Sequence, residues 1–333
     1  MAKETEIAWT DSTFNPWWGC QKVGPGCDNC YAEKLDKRTG GDHWGASAER
    51  RRTSIKNWNE PIRWNKKADA FFAAHGRRQR IFCASMADVF DNEIPVQWRI
   101  DLFTLIKDTP NLDWLILTKR IGNVMSMCSG DSLMSDMLCE RVWLGATIVN
   151  QVEADRDIPK LLATPAHKRF LSMEPLLASV NIIPYIGGRA IQCGCGFRQD
   201  EIGLVGATQA KEGCIYCYKK TVTWPTIDWV IVGGETGPGA RPMHPDWVRS
   251  LRDQCHATKV PFLFKQWGEW APHRTIAGGD EGGDVRRGHV RYIQGDDREP
   301  DGHFRKGDAA VARIGKKASG RLLDAVLHHN FPA

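Results

Sequence analysis

Three cysteines share one short loop, in the run Trp17-Trp18-Gly19-Cys20-Gln21-Lys22-Val23-Gly24-Pro25-Gly26-Cys27-Asp28-Asn29-Cys30-Tyr31. Thiolates at such spacing hold metal. Four of them close a zinc site or an iron–sulfur cluster, whereas three around a cubane cluster leave one iron open to bind and reduce a small molecule. Gly19, Gly24, Pro25 and Gly26 make the segment a loop able to wrap a bulky inorganic core. The competing reading is a zinc site completed by a distant Cys or His. Against it, the Cys20-x6-Cys27 interval is longer than that of a zinc knuckle, and no partner pair lies close by.

A second set, Cys193-Gly194-Cys195 and Cys214-Ile215-Tyr216-Cys217, puts two close pairs 18 residues apart in a glycine-rich, charged stretch. The spacing reads as a four-thiolate site for Zn2+, with an auxiliary iron–sulfur cluster as the alternative. A small zinc ribbon of this kind either touches nucleic acid or a partner protein, or only braces its own insertion. Cys83, Cys128, Cys139 and Cys255 lie in apolar or helical settings and receive no role.

These loops need a scaffold. Short, non-alternating apolar runs recur at Glu6–Trp9, Arg80–Ala84, Leu112–Thr118, Val142–Ala146, Arg169–Met173, Trp229–Gly233 and Pro261–Lys265. Strands buried on both faces read this way. Helical patterns lie between several of them. Pro95 opens a helix with Val96, Ile100, Phe103 and Ile106 on one face, and His244-Pro245-Asp246 opens another with Trp247, Val248, Leu251 and Cys255. Alternating strand and helix argue an α/β fold, a full or partial (β/α) barrel, with an open doubly wound sheet as the structural alternative. The expected domains are the first part of the barrel with the cysteine loop (1–186), the four-cysteine insertion (187–224), the last part of the barrel (225–271) and a loop-rich extension (272–333). The extension closes on an amphipathic terminal helix over Arg321–Leu327.

In such a barrel, ligands bind at the carboxyl ends of the strands. Asp88, Lys119, Thr147, Glu174 and Glu235 follow successive apolar runs there, and charged groups at such places are costly to bury unless paired or ligand-bound. Trp17, Trp18, Phe90, Trp267 and Trp270 are candidates for the cleft wall.

The bulk properties narrow the classes. The chain has 333 residues, 42% hydrophobic and 26% charged, enough for a sizeable core. No run of about 18 apolar residues suggests a membrane helix. The start MAKETEIAWT lacks the basic and apolar regions of a signal peptide. The expectation is a cytoplasmic protein, whose 11 cysteines serve metal or redox chemistry rather than disulfides. A net charge of +5 permits a nucleic-acid partner without demanding one.

Three cysteines after the first strand of a parallel barrel resemble the radical S-adenosylmethionine (SAM) enzymes. Their Cys-x3-Cys-x2-Cys motif is matched by Cys27-x2-Cys30, whereas Cys20-x6-Cys27 carries three extra residues and Asn29 stands where an aromatic is usual. The Cys-x2-Cys-Tyr ending is similar to the spore photoproduct lyase branch. The N-terminal stretch, together with the terminal Gly320-Arg321-Leu322-Leu323-Asp324, resembles a phage-associated three-Cys-motif family that is itself radical-SAM-like. The likeness covers about residues 1–270 and the terminal segment.

The resemblance implies a radical SAM barrel with a [4Fe-4S] cluster on Cys20, Cys27 and Cys30. It implies SAM cleavage to methionine and a 5′-deoxyadenosyl radical, and an electron-donor protein. Asp88, Lys119, Thr147, Glu174 and Glu235 become the candidate SAM contacts. Gly233-Gly234-Glu235 looks like the family's Gly-Gly-Glu but follows the sixth strand rather than the second, so the amino-group role is not transferred to it. A nucleotide or nucleic-acid base is the expected substrate, on the basic stretch Arg50–Trp58 and the family likeness. The alternative is a non-enzymatic, zinc-stabilised protein that binds nucleic acid or a partner.

Overall fold

The computed structural model describes residues 5, 7–128, 130–186, 226–272, 290–294 and 306–332. The four-cysteine insertion, with Cys193, Cys195, Cys214 and Cys217, lies outside them, as does most of the glycine-rich stretch that follows residue 272.

Seven parallel strands run in the order β1 (Ser12–Phe14), β4 (Gln79–Cys83), β5 (Leu112–Thr118), β6 (Val142–Thr147), β7 (Lys168–Met173), β8 (Trp229–Gly233) and β9 (Phe262–Gln266). Two short strands, β2 (Trp17–Trp18) and β3 (Arg51–Arg52), pair beside them. Each main strand neighbours its successor and the sheet curls, so the architecture is a partial β/α barrel. Right-handed helical crossovers are the usual way to join parallel neighbours. Helices Val96–Asp108, Gln151–Ala163 and Pro245–Thr258 lie between strands here.

The two faces of the sheet explain the apolar runs. One face packs beneath the helices, with Ile81, Trp114, Ile116, Leu144, Leu171, Val230, Val232 and Phe264 in one continuous core. The other carries a smaller aromatic cluster of Trp9, Phe82, Leu115, Trp143, Phe170, Trp229, Ile231 and Leu263. Alternate residues of a strand point to opposite faces, so strands apolar on both sides lose their alternation.

Three expectations need correction. The first strand is Ser12–Phe14, not Glu6–Trp9. Trp9 instead plugs the inner cluster, its ring 4.5 Å from Phe82 and 6.0 Å from Phe170. On helix Val96–Asp108, Phe103 and Ile106 are buried, but Val96 is 56% exposed. The terminal segment is not a helix: Leu322–Leu323 (β13) and Val326–Leu327 (β14) form an antiparallel hairpin. Asp324 and Ala325 both take positive φ (51° and 63°), the geometry of a tight hairpin turn. Asp324 is held there by Arg249 at 2.7 Å and Arg252 at 2.8 Å.

Strands β10 (Trp270–Pro272), β12 (Ala309–Arg313) and β11 (Val290–Ile293) form a three-stranded antiparallel sheet. Residues 328–330 hydrogen-bond the backbone of β9, which covers that sheet edge. Among the described residues, no helix is long and apolar enough to cross a membrane.

Candidate functional site

The cysteine loop is anchored at both ends. Gly19 donates its N–H to Met86 O (3.1 Å), which ties the loop to the end of β4. Its φ is +111°, and a Cβ there would lie 2.5 Å from His43 O, so this position requires glycine. Cys27 closes the short helical turn Pro25–Cys27, and Cys30 caps helix Tyr31–Arg38. Gly26 approaches the opposite wall so closely that a Cβ would meet Val149 at 2.9 Å and Lys119 Cε at 3.4 Å.

All three cysteines are free thiols and line one cleft of about 1130 Å3. Asp88, Lys119, Thr147, Glu174 and Glu235 line the same cleft. The side chains chosen from five strand ends therefore converge, as the barrel reading requires. Among the described residues, no three His, Cys, Asp or Glu gather around a single-ion site.

The strand-end residues are engaged in different ways. Asp88 is buried: its carboxylate accepts from Thr118 Oγ1 (2.8 Å), the Lys119 backbone N–H (2.9 Å) and the Phe90 backbone N–H (3.0 Å). Arg120 lies 3.5 Å from both Asp88 and Asp91, donates to Gln21 O (2.7 Å), and reaches Cys20 Sγ at 3.4 Å. Burial pushes the Cys20 thiol up to about 12, with Asp88 adding to the shift and Arg120 opposing it. Lys119 Nζ lies 3.4 Å from Thr147 Oγ1. Glu174 pairs with Lys265 at 3.1 Å.

Glu235 joins the loop after β8 to the cysteine loop. It accepts from Asn29 Nδ2 (2.9 Å), from the Arg241 backbone N–H (2.7 Å) and from Arg241 Nη2 (2.6 Å). Burial alone would raise its carboxyl, but hydrogen bonds from Arg241 and Asn29 outweigh burial and hold it below the usual glutamate range. Arg241 then reaches Asp28 (2.9 Å) and Pro25 O (2.8 Å), and Asn29 also donates to Gly239 O (3.0 Å). The two residues between Cys27 and Cys30 are thus both tied to the end of β8.

The aromatic walls differ from the expectation. Trp17, Phe90, Trp267 and Trp270 are buried in hydrophobic cores, and of the five only Trp18 lines the cleft. Trp44 and Tyr31 line it as well. Trp44 bridges to Cys20, and the Tyr31 hydroxyl donates to Ser85 O at 2.7 Å. The basic stretch is also divided. Arg50 is buried against Asp91 at 2.8 Å, while Arg51 stacks over Trp18 and Arg52 over Trp58. The bonds by which Asn29, Arg120 and Arg241 join separate loops (Asn29 to Glu235, Arg120 to Gln21, Arg241 to Asp28) left no local signal in the sequence, since those partners lie about a hundred or more positions away.

A family model described as a protein of unknown function (DUF5131) matches residues 4–332. No curated protein and no solved structure matches the chain.

Proposed function

Given that the chain belongs to the DUF5131 family of proteins of unknown function, we propose that it is an enzyme of the radical SAM type. Cys20, Cys27 and Cys30 would hold its [4Fe-4S] cluster. The observation that carries this reading is the shared cleft, in which three thiols from one loop face the polar ends of five strands. The donor set fits the group: thiolates are the ligands of iron–sulfur clusters, and three of them leave one iron for a small molecule. When bound, such a cluster supplies the electron that splits the sulfur–C5′ bond of SAM, and the carbon radical so released takes a hydrogen atom from the substrate.

The chain's own residues do the positioning. Arg241, Glu235 and Asn29 fix the loop that carries Cys27 and Cys30. Arg120 places a positive charge beside Cys20, offsetting part of the burial that disfavours its thiolate. Lys119, whose Cε would lie 3.4 Å from a Cβ placed on Gly26, is the cation for the SAM carboxylate, with Thr147 beside it. Trp18, Tyr31 and Trp44 offer flat surfaces for an adenine or a substrate base.

A nucleotide or nucleic-acid base as substrate, an electron-donor protein, Zn2+ on Cys193, Cys195, Cys214 and Cys217, and kinship with phage-associated three-Cys-motif proteins belong to the same proposal. The test is anaerobic reconstitution followed by a SAM-cleavage assay. Formation of 5′-deoxyadenosine by the native chain, and its loss in Cys20→Ala, supports the reading. A reconstituted protein that never cleaves SAM refutes it.

A further inference from the structure

The charges in the cleft do not cancel. Asp88, Glu174 and Glu235 each have a cation within ion-pairing distance: Arg120, Lys265 and Arg241 respectively. Lys316 and Arg321 also line the cleft, and among the described residues neither has a carboxylate within that distance. Arg321 Nη2 lies 3.0 Å from His329 Nδ1, but its Nε is buried without a hydrogen-bond partner.

The segment that carries the two cations is fixed. The backbone N–H of Gly315 donates to Glu269 O (3.0 Å), and Ser319 Oγ donates to Gly268 O (2.6 Å). Trp267 donates its backbone N–H to Gly320 O (3.3 Å) and its Nε1 to Leu322 O (2.9 Å). These bonds anchor Lys316 and Arg321 to the turn that leaves β9, at one edge of the sheet. Lys119 follows β5, which lies four strands from β9 in the sheet order, so it belongs to another part of the cleft.

We propose that Lys316 and Arg321 form a phosphate-binding subsite, which holds a phosphate ester of the substrate in the cleft. Resting on the radical SAM reading, this names the substrate class for that site. A phosphate monoester carries a charge of about −1.5 to −2 at neutral pH, which two unpaired cations match. Arginine offers a planar fork suited to two phosphate oxygens, and lysine adds a mobile point charge.

The test uses the full-length, anaerobically reconstituted protein and calorimetry at low salt. The probes are inorganic phosphate and a short oligothymidylate. The native protein should bind phosphate, and Arg321→Gln and Lys316→Gln should each weaken binding about ten-fold, the scale of a lost charge-assisted hydrogen bond. Lys317→Gln, at a neighbour exposed like Lys316 but outside the cleft lining, should leave it unchanged. Oligothymidylate binding tighter than phosphate, and sensitive to the same two variants, assigns the ester to a nucleic-acid strand. Equal affinities assign it to a small molecule.

No phosphate binding by the native protein overturns the subsite, as does equal loss in Lys317→Gln or an unchanged affinity in the Arg321 and Lys316 variants. Phosphate binding that persists in a protein unable to cleave SAM would overturn the radical reading and leave the subsite standing.

Discussion

Asn29 donates to Glu235 across 2.9 Å, joining the residue before the last loop cysteine to the loop after β8, 206 positions later. With Arg241 bound to Glu235, Asp28 and Pro25 O, this makes the geometry of Cys27 and Cys30 depend on the far end of the sheet. The cysteine loop is therefore held in place by bonds to the loop after β8.

The clamp can be weakened selectively. Glu235→Gln keeps the shape but removes the charge that Arg241 neutralises. We expect a loss of about 1–3 kcal/mol in urea unfolding at pH 7, and faster amide exchange over residues 24–31. The pH dependence has a definite sign. The Glu235 carboxyl is depressed in the folded state, so its contribution is full above the ordinary glutamate range, about pH 4.3. It is lost as pH falls through the lower folded value. The gap between native and variant should stay constant from pH 7 to pH 6 and close only in acid. A gap that closes on raising the pH would contradict the assignment.

Cys20 should be a poor nucleophile in the metal-free protein. With its thiol pushed up to about 12, its alkylation by iodoacetamide at pH 8 should be more than about a hundred-fold slower than that of a free cysteine, because only the thiolate reacts. Asp88→Asn removes a neighbouring negative charge and should speed it. Mass spectrometry of the labelled peptide decides, and alkylation of native Cys20 as fast as free cysteine would remove the electrostatic account of this site.

Much of the scaffold was legible because its strands are buried on both faces. Leu112–Thr118 and Trp229–Gly233 read directly as strands from unbroken apolar runs. The first strand was not, because burial and strand formation separate there. Trp9 is apolar and enclosed but lies outside the sheet, while the true strand is the short, polar-rich Ser12-Thr13-Phe14. The terminal hairpin was hidden for a similar reason. Leu322, Leu323, Val326 and Leu327 fit a helical spacing as well as two facing strands, and the positive φ of Asp324 and Ala325 comes with tertiary anchoring by Arg249 and Arg252. The strand-end polar residues were legible one by one. Their coupling through Arg120 and Arg241 was not, since ion pairs between distant segments leave no periodic trace.

Trp9→Ala tests the plug. Emptying this position should cost about 3–5 kcal/mol, the range for truncating a buried large aromatic. Urea unfolding measures it. A loss under about 1 kcal/mol, the scale of a typical substitution, would mean that Trp9 does not close the inner face.

Lys119 and Asp88 should separate under anaerobic calorimetry with SAM. Lys119→Ala should weaken SAM binding roughly ten- to a hundred-fold with iron retained, since it removes one charge-assisted contact. Asp88→Ala should weaken binding too, but with an added loss of stability, because Thr118 and two backbone N–H groups lose their shared acceptor. Normal SAM affinity in Lys119→Ala would exclude it as the carboxylate contact.

The most direct measurement is SAM binding and cleavage by the same preparation before and after anaerobic loading with iron and sulfide. The account predicts a brown protein with about four irons on the three-cysteine loop, SAM bound only in that state, and 5′-deoxyadenosine formed when a reductant is added. Replacing Cys20, Cys27 or Cys30 by Ala should abolish all three. A colourless protein holding zinc alone, or equal SAM binding with and without the cluster, would contradict it.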